Sequence, residues 1–265
     1  MGTYAITGSA SGIGAAVRRL LEDQGHRVVG VDLADAEVTA DLSGPAGRAA
    51  AVAGVLDASG GRLDGLVTAA GLGPPRPAEA ILRVNHQGSV AILEGLRPAL
   101  AAAGSAQAVQ IGSNATTTTP GIPDDVVEAL LDGDEDLAVE RLAPLPAEFA
   151  PSLAYGASKT AVTRWCRRAA VTEAWVGAGI RLNVLAPGAV RTPLLQAGMD
   201  DPLYGPLIRS FEIPVGEPAT AEEMAAWVVF LLSPVARYAC GSMIVVDGGS
   251  SARLRADDWP RTFQL

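Results

Sequence analysis

Short runs of apolar residues alternate along the chain with longer stretches in which apolar positions recur every three or four residues. The runs Thr3–Thr7 (TYAIT), Arg27–Asp32 (RVVGVD), Glu37–Ala40, Leu63–Ala69, Ala106–Gly112, Ile180–Ala186 and Met243–Val246 read as strands. Between them, Ala15–Gln24 reads as a helix with Val17, Leu20 and Leu21 on one face and Gly25 as its stop. Further helical periodicity covers Ala46–Ala58, Asn85–Ala102, Leu153–Gly177 and Ala221–Leu232. Strands rich in Val and Ile without polar alternation are buried on both faces. The expected fold class is therefore α/β: one doubly wound domain over residues 1–265, with a parallel sheet of about seven strands and helices on both faces.

One segment breaks the rhythm. Residues 114–152 hold a threonine run (Thr116–Thr119), two helix-like pieces near Asp124–Leu131 and Glu135–Leu142, and PLPAEFAP. So long a connection inside a compact domain is usually functional or an interface element. Its acidic run DGDED reads as a solvated helix junction.

Composition narrows the function classes. Apolar residues make up 49% and charged residues 18% of 265, which suits neither a disordered chain nor a coiled coil. No run of 18 apolar residues suggests a membrane span, and MGTYAITGSASG has no signal-peptide character. Cys166 and Cys240 are too few for a disulfide framework or a zinc site and read as small core fillers, so a cytoplasmic address is expected. The net charge is −9 and no basic run exceeds two residues, so no nucleic-acid partner is expected. Of the 20 basic residues only Lys159 is lysine, which places it where a guanidinium would not serve.

Chemistry concentrates at two places. In TGSASGIG, Gly8, Gly12 and Gly14 lie between the first strand and the first helix. Glycine there lets the backbone turn tightly and approach a pyrophosphate, while the helix N-terminus offers free N–H groups. Read alone, the cluster is also compatible with an ordinary tight turn. Asp32 closes the second strand, where a carboxylate can accept from an adenosine ribose and would repel a 2′-phosphate. No Arg or Lys stands at Ala10 or Leu33, which favours NAD over NADP. A plain strand-end aspartate remains the alternative, as it does for Asp41-Leu42. The second place is Tyr155-Gly-Ala-Ser-Lys159, where a spacing of four puts phenol and ammonium on one helix face. An ammonium beside a phenol lowers the cost of the phenolate, which equips the pair for proton exchange with a substrate oxygen. No His, Cys or carboxylate cluster offers a metal site.

Together TGSASGIG, Asp32, Ala69–Gly71, Asn85, Ser113, YGASK and PGAVRTP (Pro187–Pro193) resemble the short-chain dehydrogenase/reductase family over nearly the whole chain. The resemblance implies a Rossmann domain that binds NAD and a catalytic set of Asn85, Ser113, Tyr155 and Lys159. Tyr155 would be the acid/base, Lys159 would lower its pKa and hold ribose, Ser113 would orient the substrate oxygen, and Asn85 would hold a water joining Lys159 to solvent. It also implies cofactor contacts from Gly8, Ser11, Gly12, Ile13 and Gly14 in the turn, from Asp32, Leu33, Asp41 and Leu42, and from Ala70 and Gly71. Tyr155 and Lys159 would border the nicotinamide ribose, and Pro187, Gly188, Val190 and Thr192 its carboxamide.

Two features depart from the family. Thr68-Ala69 stands where paired asparagines are common, and 42 residues separate Ser113 from Tyr155 instead of about a dozen. Should Ser113 prove inert, Asn114 is the neighbour to examine. The 114–152 insertion resembles that of the bacterial 3α-hydroxysteroid dehydrogenase/carbonyl reductase group. That likeness implies a homodimer more readily than a tetramer, and a hydrophobic small-molecule substrate. Residues 189–216 form the expected substrate loop, a mobile apolar flap with Leu194, Leu195, Met199 and Tyr204 joining Ser113 and Tyr155 against substrate. Pro120–Pro123 and Phe149 are candidates for the opposite wall, and Arg76 and Arg209 for polar contacts. His86 reads as a surface or interface residue and His26 as structural, while Trp259 and Phe263 are candidates for docking on a partner subunit. Aryl-propenyl alcohol oxidation, nucleotide-sugar epimerisation and a non-catalytic dinucleotide scaffold remain the competing functions.

Overall fold

A computed structural model describes residues 1–258, so Trp259 and Phe263 lie outside the described residues. Seven strands form one parallel sheet in the order β3-β2-β1-β4-β5-β6-β7. They are β1 (Thr3–Thr7), β2 (Arg27–Asp32), β3 (Val38–Thr39), β4 (Gly65–Thr68), β5 (Ala106–Ile111), β6 (Ile180–Pro187) and β7 (Met243–Val246). Successive residues of each strand point to opposite faces, and the two faces feed separate cores. On one face Ala5, Val29, Leu66, Ala108 and Leu182 join Val55 of α2 (Pro45–Ser59), Leu93 and Leu96 of α4 (Ser89–Ala101) and Val162 of α8 (Ala150–Ala170). On the other, Ile6, Val28, Val67, Val109 and Leu185 join Val17 and Leu21 of α1 (Gly12–Asp23) and Met224 and Val228 of α11 (Ala221–Leu232). Burial of each such leucine or isoleucine contributes about 1.5–3 kcal/mol.

The helix ends follow local rules. Helix α1 stops at Gly25, whose φ of 79° lets its N–H reach the Glu22 carbonyl while the His26 N–H reaches that of Leu21. Helix α11 begins with a reciprocal capping box between Thr220 and Glu223.

Two of the expected helices and the substrate loop differ. Asn85–Ala102 is not one helix: α3 (Ala78–Leu82) runs into a π-helical turn at Arg83–Gly88 before α4. That wider turn carries Asn85 to the Leu72 backbone, a tertiary bond that periodicity does not encode. The expected helix through Gly177 stops at Ala170, because Thr172 is extended (ψ 160°); a π-helical turn (Glu173–Gly177) then tucks Trp175 edge-on against Trp165. The substrate loop, expected as a mobile apolar flap, contains α9 (Pro193–Asp200) and α10 (Tyr204–Ser210).

The 114–152 segment is structured throughout. A short α5 (Ala115–Thr118) precedes α6 (Asp124–Leu131) and α7 (Glu135–Leu142), whose Val126, Val127, Leu130, Ala138 and Leu142 form a third core with Ile81, Leu82, Ala154, Ala157 and Ala161. Its acidic run is not merely solvated. Glu135 pairs with buried Arg48 and with Arg83, and Asp136 pairs with Arg83. A last helix, α12 (Ser250–Leu254), follows β7.

Candidate active site

The order of the strands reverses between β1 and β4, and a cleft opens beyond their carboxyl ends. Just past β1, the turn is tight for a physical reason. Gly8 has φ 69°, and a Cβ on it would stand 2.7 Å from the Ala70 nitrogen; a Cβ on Gly14 would stand 2.1 Å from the Gly8 carbonyl oxygen. Helix α1 thus starts hard against the end of β1, with Ser11 as an extended N-cap and the first-turn N–H groups directed toward the cleft end. Across the switch point the Thr7 hydroxyl accepts from the Ala70 N–H at 3.1 Å, which braces Ala70 and Gly71 in the wall.

The far end of the cleft is fixed by backbone donors. Asp32 accepts from Ala10 N–H (2.9 Å) and Leu33 N–H (2.7 Å), leaving Leu33 exposed beside it. Asp41 accepts from Ser43 N–H at 2.9 Å, and its hydrogen bonds with Ser43 hold its carboxyl below the usual range. The cleft measures about 1180 Å³. The whole anticipated cofactor set lines it: Gly8, Ser11, Gly12, Ile13, Gly14, Asp32, Leu33, Asp41, Leu42, Ala70, Gly71, Tyr155, Lys159, Pro187, Gly188, Val190 and Thr192. A glycine cradle a Cβ would fill, helix-end donors and a carboxylate at the end of β2 fit a dinucleotide.

At the near end, one turn of α8 puts Tyr155 and Lys159 on the same face, with Lys159 Nζ 5.9 Å from the Tyr155 ring centre. Lys159 is buried and donates to the Ile111 carbonyl at 2.8 Å, so the end of β5 aims the amine. The Ser113 Oγ accepts from Ala115 N–H at 3.1 Å, which orients the hydroxyl. Burial dominates both titrating groups. It pushes the Tyr155 phenol up from its ordinary value, against a lowering interaction with Ser113, and pushes the Lys159 amine down to about 8.

Asn85 stands behind this wall, fully buried. Its Oδ1 accepts from Leu72 N–H (2.8 Å) and its Nδ2 donates to the Leu72 carbonyl (2.9 Å) and Ser158 Oγ (3.2 Å). The side chain braces the loop after β4, and a Cβ on Gly71 would stand 3.3 Å from its Oδ1 and 3.6 Å from Lys159 Nζ. His86 is likewise buried instead of superficial, and Cys240 is only half-buried. Asn114 donates from Nδ2 to Asp247 (3.3 Å), tying the Ser113 turn to the end of β7.

Ser113, Tyr155, Leu194, Leu195, Met199 and Tyr204 all line the cleft, as do Arg76 and Arg209. Tyr204 is committed elsewhere at its polar tip: its hydroxyl donates to the Glu148 carbonyl at 2.7 Å and pins α10 to the end of the insertion. Pro120 forms part of the opposite wall, while Phe149 is exposed and does not. Sequence reasoning missed Pro74, Ala80 and Ser152 in the lining. Only the proline punctuation of GLGPPRP signalled any of them.

This arrangement, a tight glycine turn, a carboxylate held by backbone N–H groups and a buried amine–phenol pair at one switch point, is that of a dinucleotide-dependent α/β oxidoreductase. Residues 4–195 match the model of the NAD dependent epimerase/dehydratase family, and residues 147–251 that of Enoyl-(Acyl carrier protein) reductase. The chain is 43% identical to the 3-alpha-hydroxysteroid dehydrogenase/carbonyl reductase of Comamonas testosteroni, over 96% of this chain and 98% of that protein. It is 29% identical to the coniferyl-alcohol dehydrogenase of a Pseudomonas species, over 92% and 94%. The structure superposes on the NADH complex of the 3-alpha-hydroxysteroid dehydrogenase from Pseudomonas sp. B-0831 with a TM-score of 0.92 and 47% identity, covering 98% of this chain and 100% of that one. The chain belongs to the short-chain dehydrogenase/reductase family.

Proposed function

We propose that the protein interconverts a secondary alcohol and a ketone on a hydrophobic substrate, a 3α-hydroxysteroid or related carbonyl compound, using NAD(H). The observation that carries this reading is the Tyr155–Lys159 pair beside Ser113 at the end of a cleft whose outer walls are apolar. The similarity to the Comamonas and Pseudomonas hydroxysteroid dehydrogenases, the latter with NADH, supports the choice of substrate and cofactor.

In this reading the turn residues Gly8, Gly12 and Gly14 and the start of α1 hold the pyrophosphate, Asp32 holds the adenosine ribose, and Lys159 holds the nicotinamide ribose. The dinucleotide, when bound, supplies or accepts the hydride. Tyr155 moves the hydroxyl proton: it takes it from the alcohol during oxidation and returns it to the carbonyl oxygen during reduction. Ser113, its Oγ engaged by Ala115 N–H, donates its own proton to the same substrate oxygen and fixes which lone pair faces the phenol. The Lys159 ammonium favours the phenolate over the phenol. Leu194, Leu195 and Met199 exclude water from the reacting carbon. An epimerase reading has less support, since the proteins similar over nearly the whole chain are hydroxysteroid dehydrogenases.

Replacing Tyr155→Phe should retain NADH binding, read by fluorescence, while kcat falls at least about a hundredfold, the usual worth of a general acid/base. A Tyr155→Phe variant oxidising its best hydroxysteroid at the parent rate would remove Tyr155 from the chemistry.

A further inference from the structure

Resting on the role given to Ser113 above, we infer that Asp247 is a positioning residue for the reaction: its carboxylate, acting through the Asn114 amide, holds the Ser113 hydroxyl where it meets the substrate oxygen. Ser113 lies just past the end of β5, on backbone that β6 already grips from one side. The N–H groups of Gly112 and Asn114 donate to the Leu185 and Pro187 carbonyls of β6 at 2.7 and 2.8 Å. Asn114 also stands between Ser113 and the Ala115 N–H that orients its hydroxyl. Whatever fixes Asn114 therefore fixes both the hydroxyl and its donor.

The second grip comes from the turn after β7. Asn114 is buried, and its Nδ2 donates to Asp247 Oδ2 at 3.3 Å. Asp247 is itself held by the chain that follows it: Oδ1 accepts from Gly249 N–H at 3.1 Å and Oδ2 from Ser251 N–H at 2.7 Å. Gly248 and Gly249, with φ of 63° and 89°, curl the backbone so that these N–H groups face the carboxylate. A carboxylate accepts more strongly than a neutral oxygen, so one side chain can serve as a common anchor for the turn and for Asn114. The same C-terminal segment makes another tie close by, where Arg255 donates to the Thr117 carbonyl of α5 at 2.9 Å.

Asp247 also packs against the wall at Gly188, but not with its carboxylate. A Cβ on Gly188 would stand 2.7 Å from the Asp247 Cα and 2.8 Å from its Cβ, atoms that an alanine keeps. Asp247→Ala therefore removes the anchor of Asn114 while the Gly188 wall stays filled. The effect belongs at Ser113, whose hydroxyl also interacts with the Tyr155 phenol. In a proton-transfer site even a small displacement of such a group is felt in the rate.

The test is a double-mutant cycle on kcat/KM for a 3α-hydroxysteroid, with NADH affinity read separately by fluorescence. Ser113→Ala should lower kcat/KM about a hundredfold. Asp247→Ala should lower it about tenfold with NADH affinity kept within about twofold. In the Ser113→Ala background the same Asp247→Ala change should cost less than about twofold, because the group it positions is gone. Asn114→Ala leaves the Asp247 turn its own bonds and should reproduce the tenfold loss. Asn114→Asp sets two carboxylates together, and adding Asp247→Asn to it restores a carboxylate–amide pair in reverse and should recover part of the activity. A tenfold loss in both backgrounds overturns this inference, as does a parent-like kcat/KM in Asp247→Ala or Asn114→Ala, or a paired exchange no better than Asn114→Asp alone. Each of those leaves the dehydrogenase reading standing. Ser113→Ala at the parent rate overturns the role of Ser113 and this inference with it, and a protein that oxidises no alcohol overturns the dehydrogenase reading as well.

Discussion

At the residue scale, the molecule keeps several polar groups in surroundings that set their protonation. His86 is buried, and its Nδ1 lies 3.0 Å from the Gln87 side-chain oxygen. Its Nε2 has no partner among the described residues. Desolvation lowers the imidazole from 6.5 to about 4; Arg48 adds to that, while Gln87 and Glu135 oppose it. The unfolded chain therefore binds a proton at His86 below about 6.5 and the folded protein only below about 4. Stability from this group is complete at neutral pH and is lost as pH falls through that window. By pH 4.5 the loss amounts to about 2–3 kcal/mol. Urea unfolding of His86→Gln should show a pH 7 to 4.5 decline smaller than the parent's by about that amount; an identical decline would mean the ring is charged or solvated in the native state. Tyr155 and Lys159 show the same force at work, with burial acting on each against its charged form.

Elements decide how much of this could be read from the chain. Strands β1, β2 and β6 were legible because parallel, doubly buried strands are runs of Val, Ile and Leu, a pattern that survives without tertiary information. The phosphate turn and the Tyr155–Lys159 spacing were legible for a related reason: both are local, set by neighbours within a turn or two. What was not legible depends on contacts distant in sequence. The π-helical turn at Arg83–Gly88 answers to Leu72, and the break after Ala170 carries no glycine or proline. The acidic run DGDED looks like solvated surface, yet its Glu135 meets an arginine 87 residues away. Arg48 gathers the Leu42 carbonyl (2.8 Å), the Ser43 carbonyl (3.0 Å) and Glu135, so α7 of the insertion is clamped to the loop at the adenine end of the cleft. Glu135→Gln leaves a buried guanidinium short of its counter-charge. Because Glu135 keeps 20% of its side chain exposed, the expected loss is roughly 1–3 kcal/mol, below the full cost of breaking a buried pair. The loosened loop should raise KM for NAD with kcat nearly kept, and Glu135→Asp should restore part of both. A variant with parent-like unfolding and KM would show that α7 packs against the domain without supporting the cleft.

At the scale of the whole molecule, the cleft is a consequence of sheet order. Two β-α-β series start from the middle strands and run outward in opposite directions, so their first turns diverge and leave room exactly where β1 and β4 end; occupancy of that gap joins both halves and should stabilise the fold as a unit. A ligand bound only by the native state contributes RT ln(1 + [L]/Kd), about 2.7 kcal/mol at a hundredfold excess over Kd. For a chain of this size that corresponds to a rise in Tm of roughly 5–10 °C. The two nicotinamide dinucleotides should differ sharply. Asp32 is held by Ala10 and Leu33 N–H groups and cannot swing away from a 2′-phosphate, and no arginine or lysine lines that end of the cleft. NADH should therefore produce the full shift, while NADPH at equal concentration produces less than about half of it. Substituting Asp32→Ser removes the repelling charge and should narrow the gap by weakening NADH and admitting NADPH. Equal shifts from both dinucleotides on the parent protein would show that the carboxylate does not face the ribose, and the assignment of that end of the cleft would fall with it.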